Sequence, residues 1–191
     1  MCCSYFLLTE RSFTTKKSKD MNAIEAIFTR RSIRKYKQIK VDNEILELVL
    51  KSAMYAPSAR NEQPWHFIVI DDPDLKNRVM NAHPHAKMLS EAPVAILVCG
   101  DKELEISPDY WPVDCAAATQ NILLSAHASG LGAVWLGVHP RTERKKAIRE
   151  IFGLPSHVEP FSLVAIGVPD EQKDQPERFK PERIKRNSWN S

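Results

Sequence analysis

The segment that most constrains this chain is residues 113–129, which are apolar around most of a helical circumference. Alanine and leucine dominate the segment, and Gly130 follows at the position where a glycine commonly ends a helix. A helix with so little polar surface must be covered by other elements on most of its sides. The segment therefore predicts a helix, Val113–Ser129, at the centre of a packed domain.

Strand and helix patterns flank this predicted helix on both sides. Four runs rich in β-branched and aromatic residues predict strands at Trp65–Ile70, Ala92–Cys99, Ala133–Val138 and Phe161–Val168. Further helices are predicted around Ile24, Ile27 and Phe28, from a cap at Asp42 or Asn43 until Pro57, from Asp72-Pro73, and over Thr142–Phe152. No linker separates these elements, so we expect one α+β domain around a sheet of about four strands.

Charge and cysteine content exclude several classes of protein. The net charge is +3, and most of the excess lies in residues 1–20, so no basic surface indicates nucleic-acid binding. The four cysteines are too few and too irregularly spaced for a disulfide framework, which favours a reducing, cytoplasmic location. The apolar run at residues 5–8 is too short to span a membrane.

The two ends of the chain differ from its middle. Residues 1–20 show neither helical nor strand periodicity, and we expect a non-native or disordered extension there, with the domain covering residues 21–191. After Pro169 the chain becomes charged and rich in proline, and it carries an aromatic residue, Trp189, close to its end. This pattern predicts an arm that packs on another surface, such as that of a second subunit.

Two motifs suggest a binding site. Arg30-Arg31-Ser32-Ile33-Arg34 places three guanidinium groups and a hydroxyl within five residues, a set that suits a phosphate, although a solvated basic helix end is an equally good reading. Residues 56–65 form a polar loop in which Asn61 and Gln63 offer the donors and acceptors that a heterocyclic ring edge requires. An ordinary capped loop is the alternative interpretation.

Other chemistries are not supported by spacing. Gly130, Gly132 and Gly137 follow a helix and precede or lie within a strand, the reverse of the order in a dinucleotide fingerprint. His83, His85, Cys99 and Cys115 do not show metal-ligand spacing, so we predict no metal site. The residues alone thus indicate an anion-binding α+β protein with a loop suited to a ring.

Three segments together resemble the flavin-binding nitroreductase family: residues 30–36, residues 56–67 and residues 114–137, the last containing Gln120-Asn121 and Gly130-Leu131-Gly132. The similarity extends from about Met21 to Trp189. It implies a nitroreductase-like α+β fold, with a central, mostly antiparallel sheet flanked by helices. It also implies a homodimer with exchanged C-terminal arms and FMN at the subunit interface.

The resemblance assigns roles residue by residue. Arg30 and Ser32 are expected at the phosphate and ribityl chain, and Arg34 towards the pyrimidine end of the ring. The remaining residues that match the family's cofactor-binding positions are Arg31, Pro57, Ser58, Asn61, Leu136, Gly137, Arg178 and Lys180. Pro57, Ser58 and Asn61 are expected to approach the ring from the partner subunit. No catalytic side chain is expected, since the flavin carries the chemistry.

The resemblance implies an oxidoreductase in which NADH or NADPH reduces FMN and a small acceptor, such as a nitroaromatic or a quinone, then takes the electrons in a ping-pong cycle. Two alternatives within flavin chemistry stay open: a relative that uses flavin and oxygen to cleave rings or remove halogens, and a non-catalytic FMN-binding module. A third, outside flavins, is an anion-binding structural protein.

Overall fold

The computed structural model describes residues 21–189, and the prediction for residues 1–20 lies outside this range. The helices are α1 (Ala23–Thr29), α2 (Asn43–Met54), α3 (Pro73–Ala82), α4 (Trp111–Ala128) and α5 (Thr142–Phe152). The strands are β1 (Trp65–Ile70), β2 (Val94–Asp101), β3 (Gly132–Gly137) and β4 (Val158–Gly167). The predicted α+β class and its elements are therefore confirmed.

The four strands form one sheet in the order β1-β2-β4-β3, and every neighbouring pair is antiparallel. β2 and β4 lie in the middle, and nearly all of their residues are buried. One face of the sheet packs against α2 and α4, and the other against α3 and α5. This three-layer arrangement buries the central strands on both faces, which explains their continuous apolar sequence.

Local signals in the sequence account for several element boundaries. Asp72 caps α3 through a hydrogen bond that its side chain accepts from Leu75 N, and α5 ends at Gly153 with φ of +61°. β2 and β4 extend beyond their predicted ends because Asp101 pairs with Val158 across the sheet. Asp101 and Glu159 are thus strand residues despite their polarity.

The predicted apolar face of α1 is not covered by the chain itself. Ile24, Ile27 and Phe28 are all more than half exposed, whereas Ala26 is the one buried residue of this helix. α4 is buried or partly buried on most of its sides, as predicted, but Val113 in its first turn is 61% exposed. Within residues 21–189, no helix combines the length and apolarity that crossing a membrane requires.

Candidate functional site

The arginines of the first motif lie where α1 meets the C-terminal end of α4. Arg30 is the C-terminal cap residue of α1, and its neighbour Thr29 hydrogen-bonds to His127 of α4 at 2.8 Å. Arg31 donates through Nε to the carbonyl of Asp174 at 2.8 Å and through Nη1 to the carbonyl of Phe28 at 2.9 Å. Helix α1, the end of α4 and the C-terminal arm therefore meet at this pair of arginines.

Positive charge from two distant parts of the sequence converges at this place. Burial lowers the pKa of Arg30, and the charges of Arg178 and Arg31 lower it further. The pKa of His127 is also lowered, mainly by burial and then by the charges of Arg30 and Arg31. Arg178, which is far from Arg30 in sequence, thus lies close enough to repel it.

Ser32 and Arg34 continue from this cluster along the sheet. Ser32 forms a parallel bridge with Ala133 of β3, and Ile33 N donates to the carbonyl of Ala133 at 3.0 Å. Arg34 N donates to a carboxylate oxygen of Glu171, while the Arg34 residue itself is exposed. The segment is held to β3 and to the start of the arm by its backbone, which leaves its polar side chains available.

Two clefts open on either side of Arg31. One has a volume of about 590 Å³ and is lined by Arg31, His127, residues 130–132 and arm residues 171–175. The other, of about 490 Å³, is lined by Ile27, Phe28, Arg31 and arm residues 175–179, including Arg178. Lys180 is exposed just beyond this second cleft and lines neither one.

The second motif lies at the opposite end of α4. The backbone of Ala59, between Ser58 and Asn61, donates to Asp114 Oδ1 at 3.0 Å. Asp114 and His127 are thirteen positions apart along the helix, or about 20 Å at about 1.5 Å per residue. Pro57, Ser58 and Asn61 are therefore far from the arginine cluster of the same chain.

Leu136 and Gly137 occupy the end of β3, opposite Leu163 and Ser162 of β4. Leu136 is buried, and the carbonyl of Gly137 accepts hydrogen bonds from Arg144 Nη1 at 2.8 Å and from His83 Nε2 at 3.0 Å. A Cβ on Gly137 would meet its nearest atom only at 4.0 Å, so this glycine does not reflect close packing within the chain.

Sequence reasoning missed a pair of buried carboxyl groups, Glu62 and Asp114. Glu62 is 8% exposed and Asp114 only 3%. Burial, contact with Glu62 and the charges of Glu62 and Glu105 raise the pKa of Asp114, while the hydrogen bond from Ala59 opposes this shift. A carboxylate in the first turn of an otherwise apolar helix was the available signal.

A second missed group lies at the end of the sheet where β2 leaves β4. Among the described residues, Asp101, Glu103 and His157 each have a potential metal-ligand atom, and these atoms lie within 4.8 Å of one another. His66 Nε2 is 3.3 Å from Asp101 Oδ2, and His157 Nδ1 is 3.6 Å from Glu103 Oε1. These contacts are also those of ordinary surface ion pairs, and the prediction of no metal stays a prediction.

Comparison with known proteins identifies the family. The nitroreductase family profile matches residues 27–91 and 80–168. A relative from Methanothermobacter thermautotrophicus, provisionally named NADH dehydrogenase/NAD(P)H nitroreductase, is 46% identical over 91% of each chain. A crystal structure from Parabacteroides distasonis with the same provisional name is 37% identical, with a TM-score of 0.84 over 87% of this chain and 98% of that one. A nitroreductase-type structure from Desulfovibrio desulfuricans in complex with FMN is 31% identical, with a TM-score of 0.76 over 87% of this chain and 96% of that one. This chain belongs to the nitroreductase family.

Proposed function

We propose that this protein is an FMN-dependent oxidoreductase that uses NADH or NADPH to reduce a small acceptor. The observation that carries the proposal is the convergence of three arginines near the C-terminal end of α4: Arg31 and Arg178 line one cleft, and both lie close enough to Arg30 to lower its pKa. Family membership and the FMN bound by the Desulfovibrio relative support the same cofactor.

The arginine cluster fits the phosphate of FMN on electrostatic grounds. Guanidinium groups keep their protons at any physiological pH, so they cannot relieve their mutual repulsion by losing a proton, and a bound anion relieves it directly. A phosphate monoester carries about two negative charges and accepts paired hydrogen bonds from arginine. Burial is the main cause of the lowered pKa of Arg30, and the repulsion by Arg178 and Arg31 that adds to it is what such an anion would remove.

The position of the second motif supports a homodimer. The arginine cluster and the loop with Pro57, Ser58 and Asn61 lie at opposite ends of α4, about 20 Å apart in one chain. A second copy of the chain is the simplest way to bring both motifs to one ligand. The α1, α2, α4 and arm surfaces also expose an unusual set of large apolar side chains: Ile24, Ile27, Phe28, Leu48, Met54, Tyr55, Val113, Phe179, Ile184 and Trp189. So many exposed large apolar side chains on these elements are consistent with an interface.

Each part of the chain then has a role in binding. Arg30, Arg31, Ser32 and the arm's Arg178 and Lys180 hold the phosphate and ribityl chain, and Arg34 lies near the pyrimidine end of the ring. Ser58 and Asn61 of the partner subunit, with Leu136 and Gly137, position the ring. FMN, when bound, supplies the two-electron chemistry. We infer that donor and acceptor occupy one cleft in turn, which gives ping-pong kinetics with acceptors such as nitroaromatics or quinones.

The test is the visible spectrum of the purified protein with FMN, recorded under nitrogen before and after NADH or NADPH is added. We expect bound flavin that one of the nicotinamides bleaches and a nitroaromatic or quinone restores, with parallel lines in initial-rate plots. A protein that does not take up FMN would overturn the proposal. Flavin that neither nicotinamide reduces would indicate a non-catalytic FMN-binding module. A ring-cleaved or dehalogenated product would indicate the oxygen-dependent or dehalogenating alternative.

A further inference from the structure

The buried carboxyl groups of Glu62 and Asp114 have an unusual hydrogen-bond arrangement. Asp114 Oδ1 accepts from Ala59 N at 3.0 Å, and Glu62 Oε2 accepts from Ile106 N at 2.7 Å and from Ser107 N at 2.8 Å. The other oxygen of each group, Glu62 Oε1 and Asp114 Oδ2, is buried without a hydrogen-bond partner among the described residues. In each carboxyl group, therefore, one oxygen accepts hydrogen bonds and the other has no partner within residues 21–189.

Two ionised carboxylates close together in this buried site are energetically unfavourable. A buried polar atom without a partner costs free energy, and two neighbouring carboxylates repel each other strongly where water is excluded. The other titratable groups that act on Asp114 do not compensate, since Glu105 adds negative charge and Cys115 is a buried thiol. One proton between the two unpaired oxygens would satisfy both at once and remove the repulsion.

We propose that Glu62 and Asp114 share a single proton between Oε1 and Oδ2, and that this pair fixes the loop of residues 57–64 against α4. Through Ile106 and Ser107 the pair also holds the loop between β2 and α4. Three separate segments thus meet at one shared proton. Glu62 and Asp114 act as positioning residues, because neither is expected to contact the cofactor.

The backbone of the 57–64 loop shows why such an anchor is needed. Arg60, Asn61 and Gln63 all have positive φ, at 48°, 57° and 48°. Non-glycine residues rarely adopt this conformation, and they keep it only where surrounding contacts enforce it. The hydrogen bonds of Glu62 and Asp114 link this strained loop to α4 and to the loop that precedes α4.

The consequence for pH follows from the direction of the Asp114 shift. Because the folded chain binds the shared proton more tightly than the unfolded chain does, its contribution to stability is present in acid and is lost as pH rises through the raised pKa of Asp114. If the loop positions the flavin ring, which rests on the proposed function, flavin affinity should fall over the same pH range.

The experiment compares the wild type with Glu62→Gln by urea unfolding across pH. The amide group that this substitution introduces can donate to Asp114 Oδ2 without a shared proton. We expect the unfolding constant of the wild type, relative to that of the variant, to rise about tenfold for each pH unit between the ordinary pKa of an unfolded aspartate and the raised pKa of Asp114. Glu150→Gln, at an exposed site on α5, serves as the control and should keep the wild-type profile. Identical pH profiles for the wild type and Glu62→Gln would overturn the proposal.

A second measurement does not depend on a variant that folds. Infrared spectroscopy of the wild type across pH should show one carboxyl group that stays protonated above the usual carboxyl pKa of about 4, and its absence would overturn the shared proton. Flavin affinity is measured separately across the same pH range. A shared proton without any pH effect on FMN binding would overturn the positioning role, whereas a protein that never binds FMN would refute the proposed function and leave the shared proton intact.

Discussion

The two ends of α4 hold clusters of like charge that differ in how the charge can be neutralised. At the C-terminal end, Arg31 and Arg178 line an open cleft, and Arg30 lies close to both. At the N-terminal end, Glu62 and Asp114 are almost completely buried. Arginine cannot lose its proton under ordinary conditions, whereas a carboxylate can gain one. The cationic end is therefore suited to an external anion, and the acidic end can be neutralised when it binds a proton.

The first prediction tests whether a homodimer is needed to bring the two ends of α4 to one ligand. Phe28→Asp places a charge on the exposed apolar face of α1, and we expect it to convert the proposed homodimer into a monomer and to abolish FMN retention. Sedimentation velocity gives the oligomeric state, and Val69→Asp, on the outer strand β1, provides a control at another exposed apolar site. A wild-type protein that is monomeric and still binds FMN would show that one chain suffices.

The cationic end is tested directly by Arg30→Ala. Loss of one charged hydrogen bond to the phosphate should weaken FMN binding by about 1.5–3 kcal/mol, or about 10- to 150-fold. Quenching of flavin fluorescence in a titration measures the affinity. Arg78→Ala, at an exposed site on α3, is the matched control and should leave it unchanged. Equal affinities for wild type and Arg30→Ala would mean that the phosphate binds elsewhere.

The link between the cationic end and the core is tested by Gly132→Ala. A Cβ at this position would lie 2.7 Å from Ile33 Cγ2, so the segment that follows the arginines must shift. We expect a loss of about 1–3 kcal/mol in the free energy of unfolding, as for other overpacked sites, together with weaker FMN binding. Gly137→Ala, with no atom closer than 4.0 Å, should change stability much less in the same urea titrations. An unaltered stability for Gly132→Ala would show that Ile33 can move freely.

The sequence predicted those parts of the fold that depend on local pattern. The apolar segment of α4, the cap at Asp72 and the glycine after α5 each reflect interactions within a few residues, and the structure has all three. The proximity of Arg178 to Arg30, by contrast, was implied only by the family resemblance, because no local pattern encodes it. The Glu62–Asp114 pair escaped prediction for the same reason. Its partners come from two loops and a helix, and burial cannot be read from a polar loop sequence.

The pKa of His127 reports the positive charge at the cationic end of α4. Burial, and then the charges of Arg30 and Arg31, lower the pKa of this residue. Thr29 Oγ1 donates its proton to the carbonyl of Glu25 at 2.6 Å, so His127 Nε2 must be the donor in its 2.8 Å hydrogen bond to Thr29. The neutral ring is therefore held in one tautomer beside the arginines.

Replacing Arg31 by Gln should raise the pKa of His127, because protonating the ring then meets one positive charge fewer. Binding of FMN or inorganic phosphate to the wild type should raise it for the same reason. The stability that depends on neutral His127 is present above the unfolded pKa of about 6.5 and is lost as pH falls below it, so Arg31→Gln should reduce this loss. An NMR titration of the histidine rings measures the shift, and His83, whose nearby cation is Arg144, is the internal control. A His127 pKa that responds neither to Arg31→Gln nor to phosphate would show that the guanidinium groups do not focus their field at this end of α4.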